Sequence, residues 1–103
     1  MKKKAKIRSQ SQTTCYVIAY DIPDDKRRNN IHKLLLGFGK WTQYSLFECF
    51  LSRKELLLLQ SKLVEHLDAT QDSVRFYPLC ASCVSKVQTV GGSLPREIFI
   101  YVV

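Results

Sequence analysis

Apolar and polar positions along this chain change period several times, and each change marks an element. Cys15 to Ile22 is a run of mostly β-branched or aromatic residues closed by Pro23, which predicts a buried strand. Asp24 or Asp25 can then cap a helix and favour its positive end. In that helix Ile31, Leu34, Leu35 and Phe38 recur at i, i+3, i+4 and i+7 as one apolar face, and Gly37 and Gly39 end it. Trp41 to Leu51 is long enough for two short strands with a tight turn or kink near Ser45. Ser52 and Glu55 form a capping box, and Leu56, Leu59, Leu63 and Leu67 predict the buried stripe of a second helix. Val74 and Phe76 alternate with Arg75 and Tyr77, so Ser73 to Tyr77 reads as a strand with one face wet or shared. The order β-α-β-β-α-β predicts an α+β, ferredoxin-like fold with two helices on one face of an antiparallel sheet.

Two further pieces, Val84 to Val90 and Glu97 to Val103, read as additional C-terminal strands. The second is apolar to its last residue and would be an aggregation hazard on an open edge. Pairing with a second copy removes that hazard, so a homodimer is expected. The domain organisation is then a basic flexible arm over 1–13, a ferredoxin-like domain over 14–92 and a C-terminal strand over 93–103 pairing across the dimer.

Composition narrows the class. At 103 residues and 46% hydrophobic content the chain forms one domain with a modest core. No apolar run approaches the roughly 20 residues needed to cross a bilayer. The charged start leads into polar Ser9-Gln10-Ser11-Gln12 rather than an apolar signal core, so a cytoplasmic protein is expected. Of the +7 net charge, five positives come from Lys2, Lys3, Lys4, Lys6 and Arg8, leaving +2 for the rest. Such an arm attracts nucleic acid without regard to sequence, or serves only as a solubilising tail. Cys15 and Cys49 lie in apolar runs and read as small buried hydrophobes. Cys80 and Cys83 make a lone C-x-x-C with no second ligand pair, which favours reduced structural thiols over metal or redox use.

The candidate chemistry is concentrated where the first strand ends. Asp21 is a carboxylate at the mouth of a turn, and Arg27 and Arg28 follow one helical turn on. A carboxylate can hold a hard cation and arginines can hold phosphate. One carboxylate alone is a poor Mg²⁺ site, but two copies facing each other across a two-fold axis would share one ion and activate water against a phosphodiester. Arg27 and Arg28 would bind flanking phosphates, and Tyr20 would donate a hydrogen bond. The alternative is an aspartate that merely caps a turn. His32 sits off the apolar stripe and reads as solvated rather than as a general base, and His66 meets the negative end of its helix. Trp41, Tyr44, Phe47 and Phe50 could stack on bases, although core packing is the commoner use of such residues.

These pieces together resemble the small endoribonuclease family of CRISPR systems, the dimeric partner of the spacer-acquisition integrase. The resemblance runs from about Cys15 to Gly92. It rests on the strand Tyr16 to Ile22, the basic Lys26-Arg27-Arg28, the segment Gly39 to Glu48, the strand Asp72 to Leu79 and the closing Lys86-Val87. It implies a ferredoxin-like homodimer whose C-terminal strands reach the partner, with Asp21 as the metal-binding aspartate and Mg²⁺ as the ion. It also implies that Tyr20, Arg27 or Arg28, and Phe47 occupy positions tied to activity or to the shape of the active site. Many members carry arginine where this chain has Trp41, with Lys40 beside it as the remaining candidate phosphate contact. Two functions are then in view: a metal-dependent nuclease acting on RNA or DNA, and an adaptor that bridges the integrase and holds nucleic-acid backbone. A stand-alone ferredoxin-like RNA-binding module is the alternative, and it requires aromatics exposed on the sheet.

Overall fold

The computed structural model describes residues 12–91, so most of the expected basic arm and the C-terminal piece Glu97 to Val103 lie outside the described residues. Its elements are β1 (Thr14–Asp21), α1 (Asp25–Leu36), β2 (Lys40–Gln43), β3 (Leu46–Leu51), α2 (Arg53–His66), β4 (Ser73–Leu79) and the short α3 (Ala81–Val84). The strands form one antiparallel sheet in the order β2-β3-β1-β4, as the ferredoxin-like order requires. β1 is bonded on both sides, to β3 and to β4.

Facing pairs across the ladders define the buried face. Ile18 opposes Phe47, Tyr16 opposes Cys49 and Thr14 opposes Leu51. On this side Ile18, Phe47 and Cys49 lose all their exposure, against Ile31 and Leu35 of α1 and Leu59 and Leu63 of α2. The helical stripes read from the sequence are therefore the core stripes, with Leu34, Phe38, Leu56 and Leu67 packed around their margins.

Local signals set the boundaries. The Asp24 carboxylate caps α1 by accepting from the Arg27 amide at 2.9 Å. At the start of α2, Ser52 Oγ accepts from the Glu55 amide at 3.1 Å while Glu55 Oε1 accepts from the Ser52 amide at 2.8 Å, closing the capping box. The β2–β3 turn falls at Tyr44 and Ser45, with Tyr44 in the left-handed region at φ 44°. Donation from Trp41 Nε1 to the Tyr44 carbonyl at 2.7 Å holds that turn.

The expectation of a strand over Val84 to Val90 is corrected. The chain turns into α3 and continues in tight i→i+3 bonds, Lys86 to Cys83 at 3.0 Å and Val87 to Val84 at 3.2 Å. No strand is present among residues 85–90. Val84, Val87 and Val90 recur every third residue, a spacing that suits turns and helices better than the period of two of a strand.

Gly39 is where the exit from α1 lies against β3. A Cβ there would collide with Cys49 Sγ and come within 2.6 Å of the Glu48 carbonyl oxygen, whereas a Cβ at Gly37 meets only the Leu34 carbonyl, at 3.4 Å. Gly39→Ala is expected to cost about 1–3 kcal/mol by overpacking. Gly37→Ala, at φ −76°, is expected to be neutral or to stabilise by up to ~1 kcal/mol. Urea titration of both variants checks the difference in sign.

Candidate nucleic-acid and metal site at the end of β1

Successive side chains of a strand point to opposite faces of the sheet, and along β1 this separates two groups of candidate residues. Ile18, Tyr20 and Ile22 join the helix-covered core. Val17, Ala19 and Asp21 lie on the opposite, open face. Ladder partners extend that face in rows: Cys15 with Phe50 and Leu79, Val17 with Glu48 and Tyr77, Ala19 with Leu46 and Arg75, and Asp21 with Ser73. Phe50 and Tyr77 stay 44% and 46% exposed there, a large aromatic content for a surface facing only water. Cys15 is buried at the end where α3 packs on β1 and β4.

Asp21 ends the central strand as an exposed carboxylate, and no hydrogen bond or ion pair engages it among the described residues. Tyr20, its chain neighbour, points the other way. The Tyr20 hydroxyl lies 3.1 Å from His32 Nδ1, and its backbone N–H donates to the Ser45 carbonyl at 3.1 Å. Burial pushes the Tyr20 phenol above its ordinary value, only partly opposed by Ser45 and Arg28. The phenol is therefore neutral at physiological pH. The expectation of a solvated His32 is corrected: its ring lies edge-on to Phe47 at 5.1 Å and to Trp41 at 5.8 Å. Phe47 is fully buried beneath Tyr20, with ring centroids 6.3 Å apart, so it supports the strand end from the core side.

The two arginines tie α1 to the strand ends. Arg27 Nε and Nη2 donate to the two oxygens of Asp72 at 2.8 and 3.2 Å, a bidentate clamp from α1 to the residue before β4. Asp72 also accepts from the Asp68 amide at 2.9 Å. Arg27 holds the Asp72 carboxyl below its usual range, and Asp72 raises Arg27 in return. Arg28 Nη1 donates to the Ile22 carbonyl at 2.9 Å, one residue beyond Asp21, and its other terminal nitrogen pairs with Asp25. Lys40 opens β2 opposite Glu48. Sequence reading missed Asp72 and Ser73 as parts of this neighbourhood. For Arg75, the alternation with partly buried Val74 was the available signal that it shares the open face.

Of the sequence candidates, then, Asp21 ends β1, Arg28 bonds to the carbonyl of the next residue, Ile22, and Arg27 is clamped to Asp72. Tyr20 and Phe47 lie under that end, and Lys40 is two strands away from β1. No cluster of three or more metal-ligating side chains occurs among the described residues. A lone exposed carboxylate fits Mg²⁺ as a single ligand, because that ion keeps waters and commonly takes one or two carboxylates with phosphate oxygens.

A ferredoxin-like sheet whose central strand ends in an open-face carboxylate defines the structural class, and comparison with known proteins narrows it. The family model described as CRISPR associated protein Cas2 matches residues 14–87. A CRISPR-associated endoribonuclease Cas2 of Synechocystis sp. is 47% identical over 76 residues, spanning 74% of this chain and 83% of that protein. The crystal structure of Streptococcus pyogenes Cas2 at pH 6.5 superposes with a TM-score of 0.68 at 29% identity, covering 75% of this chain and 99% of that one. A chain of a partial Cas6-RT-Cas1–Cas2 complex gives a TM-score of 0.66 at 25% identity, over 75% of this chain and 90% of that one. The chain belongs to the CRISPR-associated Cas2 family.

Because Asp72 is depressed in the folded state, its ionised form stabilises the fold above the ordinary carboxylate value of 3.8, and this contribution is lost as pH falls through the folded value. Asp72→Asn is expected to melt below wild type at pH 7, with the gap closing below about pH 4. Thermal melts in steps from neutral to acid pH check this.

Proposed function

We propose that this protein acts in CRISPR spacer acquisition as a homodimer that bridges the integrase and holds nucleic-acid backbone. In this reading Asp21 is also the centre of a Mg²⁺-dependent nuclease activity. The observation that carries the proposal is the place of Asp21: unengaged, exposed and on the same open face as the half-exposed Phe50 and Tyr77. Two copies packed through that face would cover the aromatics and bring their Asp21 carboxylates toward one another. The complex that includes Cas1 and Cas2 chains supports an integrase partner, and the endoribonuclease name of the Synechocystis relative supports phosphodiester chemistry.

Asp21 from each copy would hold Mg²⁺, which when bound supplies positive charge against the phosphoryl oxygens. Arg28, bonded to the Ile22 carbonyl one residue beyond Asp21, is the candidate for a flanking phosphate, with Lys40 as a more distant backbone contact. Arg27 works through Asp72 to fix the start of α1. Tyr20 is a positioning residue: its amide and hydroxyl hold the strand end from the core side, and Phe47 supplies the floor on which it rests. With Phe47 buried, the aromatics on the open sheet are Phe50 and Tyr77, and the contact between copies would cover them instead of leaving them for base stacking.

The test is cleavage of labelled single-stranded RNA and duplex DNA by wild type and Asp21→Asn, with Mg²⁺ or EDTA. Activity is expected to fall to background in both the variant and the EDTA control. Salt-sensitive duplex binding and integrase-dependent spacer insertion are expected to survive in Asp21→Asn. Cleavage that persists in the variant would remove Asp21 from the chemistry, and loss of insertion would merge the two roles into one.

A further inference from the structure

The chain's four cysteines divide into two chemically different pairs. Cys15 and Cys49 are buried, and burial pushes their thiols up to about 11 and about 12, where they stay protonated and unreactive. Cys80 and Cys83 are exposed, with their sulfurs 3.1 Å apart across the first turn of α3. The backbone fixes this approach, because the amides of Cys83 and Val84 both donate to the Cys80 carbonyl at 3.0 Å. Ser82 Oγ lies 3.2 Å from Cys80 Sγ. Hydrogen bonds from Ser82 and Cys83 stabilise a thiolate on Cys80 and bring it down to about 7, while Cys83 is pushed upward. One sulfur is thus set up as an attacking thiolate and the other as the proton-bearing partner that resolves the intermediate.

We propose that Cys80 and Cys83 are a redox-active dithiol that closes to an intrachain disulfide by exchange with a glutathione-type disulfide. The Cys80 thiolate attacks one sulfur of that disulfide, forming a mixed disulfide and expelling one small thiolate. Cys83 then gives up its proton and attacks Cys80 Sγ, forming the internal bond and releasing the second small thiol. The protein dithiol is oxidised by two electrons, and one small disulfide is reduced to two thiols. The pair sits directly after β4, where α3 packs on β1 and β4 and the chain leaves toward residues 92–103. Closing the bond locks that departure turn, and opening it restores the turn's freedom. The redox state of the surroundings is thereby written onto the exit from the sheet rather than onto its core.

The experiment exposes the reduced full-length chain to glutathione disulfide at pH 7, followed by acid quench, alkylation and peptide mass mapping. Wild type is expected to lose two hydrogens in the peptide that spans Cys80 and Cys83, with Cys15 and Cys49 alkylated only after unfolding. Cys83→Ser is expected to accumulate one glutathione on Cys80. Cys80→Ser is expected to react at least about 5-fold more slowly, since the remaining Cys83 thiol lacks the partner bonds that favour a thiolate on Cys80 and so presents few thiolates at pH 7, although each is more nucleophilic. Equal rates in the two variants would overturn the proposal. So would a bridge to Cys15 or Cys49, a disulfide between chains, or dithiols that persist under a large excess of the oxidant.

Discussion

The alternation of side chains along β1 is the constraint from which the site follows. Hydrogen bonds to β3 and β4 hold this strand on both sides, so it cannot twist one residue without moving the others. Slipping its register by one position would put Asp21 under the helices and Tyr20 in the open. What prevents the slip is packing rather than polarity. Ile18 and Phe47 face each other without residual exposure, and Gly39 lets the exit from α1 lie so close to β3 that a Cβ there would clash with Cys49. The face on which the exposed Asp21 carboxylate lies is in this way set by apolar packing.

The charges serve the frame as much as any ligand. A basic segment straight after a strand invites a phosphate-binding reading, yet Arg27 gives two nitrogens to Asp72 and Arg28 gives one to the Ile22 carbonyl. Both bonds bind the start of α1 to the ends of strands that frame Asp21. The folded part is therefore less available to anions than its composition suggests. Most of the excess positive charge belongs to the first eight residues.

The sequence made the main elements legible because their signals are local. A run of strand formers ended by Pro23, a heptad-like stripe in α1 and a capping box at Ser52 each need only a few adjacent residues. The site was readable only in part, since its contacts join distant segments. Arg27 and Asp72 are 45 positions apart, and His32 looked solvated because Trp41, which covers it, lies beyond the end of its own helix. The segment after β4 misled for a different reason: valines encourage a strand reading unless their spacing of three is counted. Asp21 stood out as chemistry from the start, but which face it occupied depended on pairing that no single segment records.

Trp41 is the chain's one tryptophan, and its placement has an optical consequence. Its indole bonds to the Tyr44 carbonyl and touches the His32 ring, which in turn meets the Tyr20 hydroxyl and Phe47. Tryptophan emission from this protein therefore originates where the β2–β3 turn meets α1, one ring removed from Tyr20 and Phe47. Under excitation selective for indole, its fluorescence spectrum is a local readout of that junction, with no second tryptophan to average over.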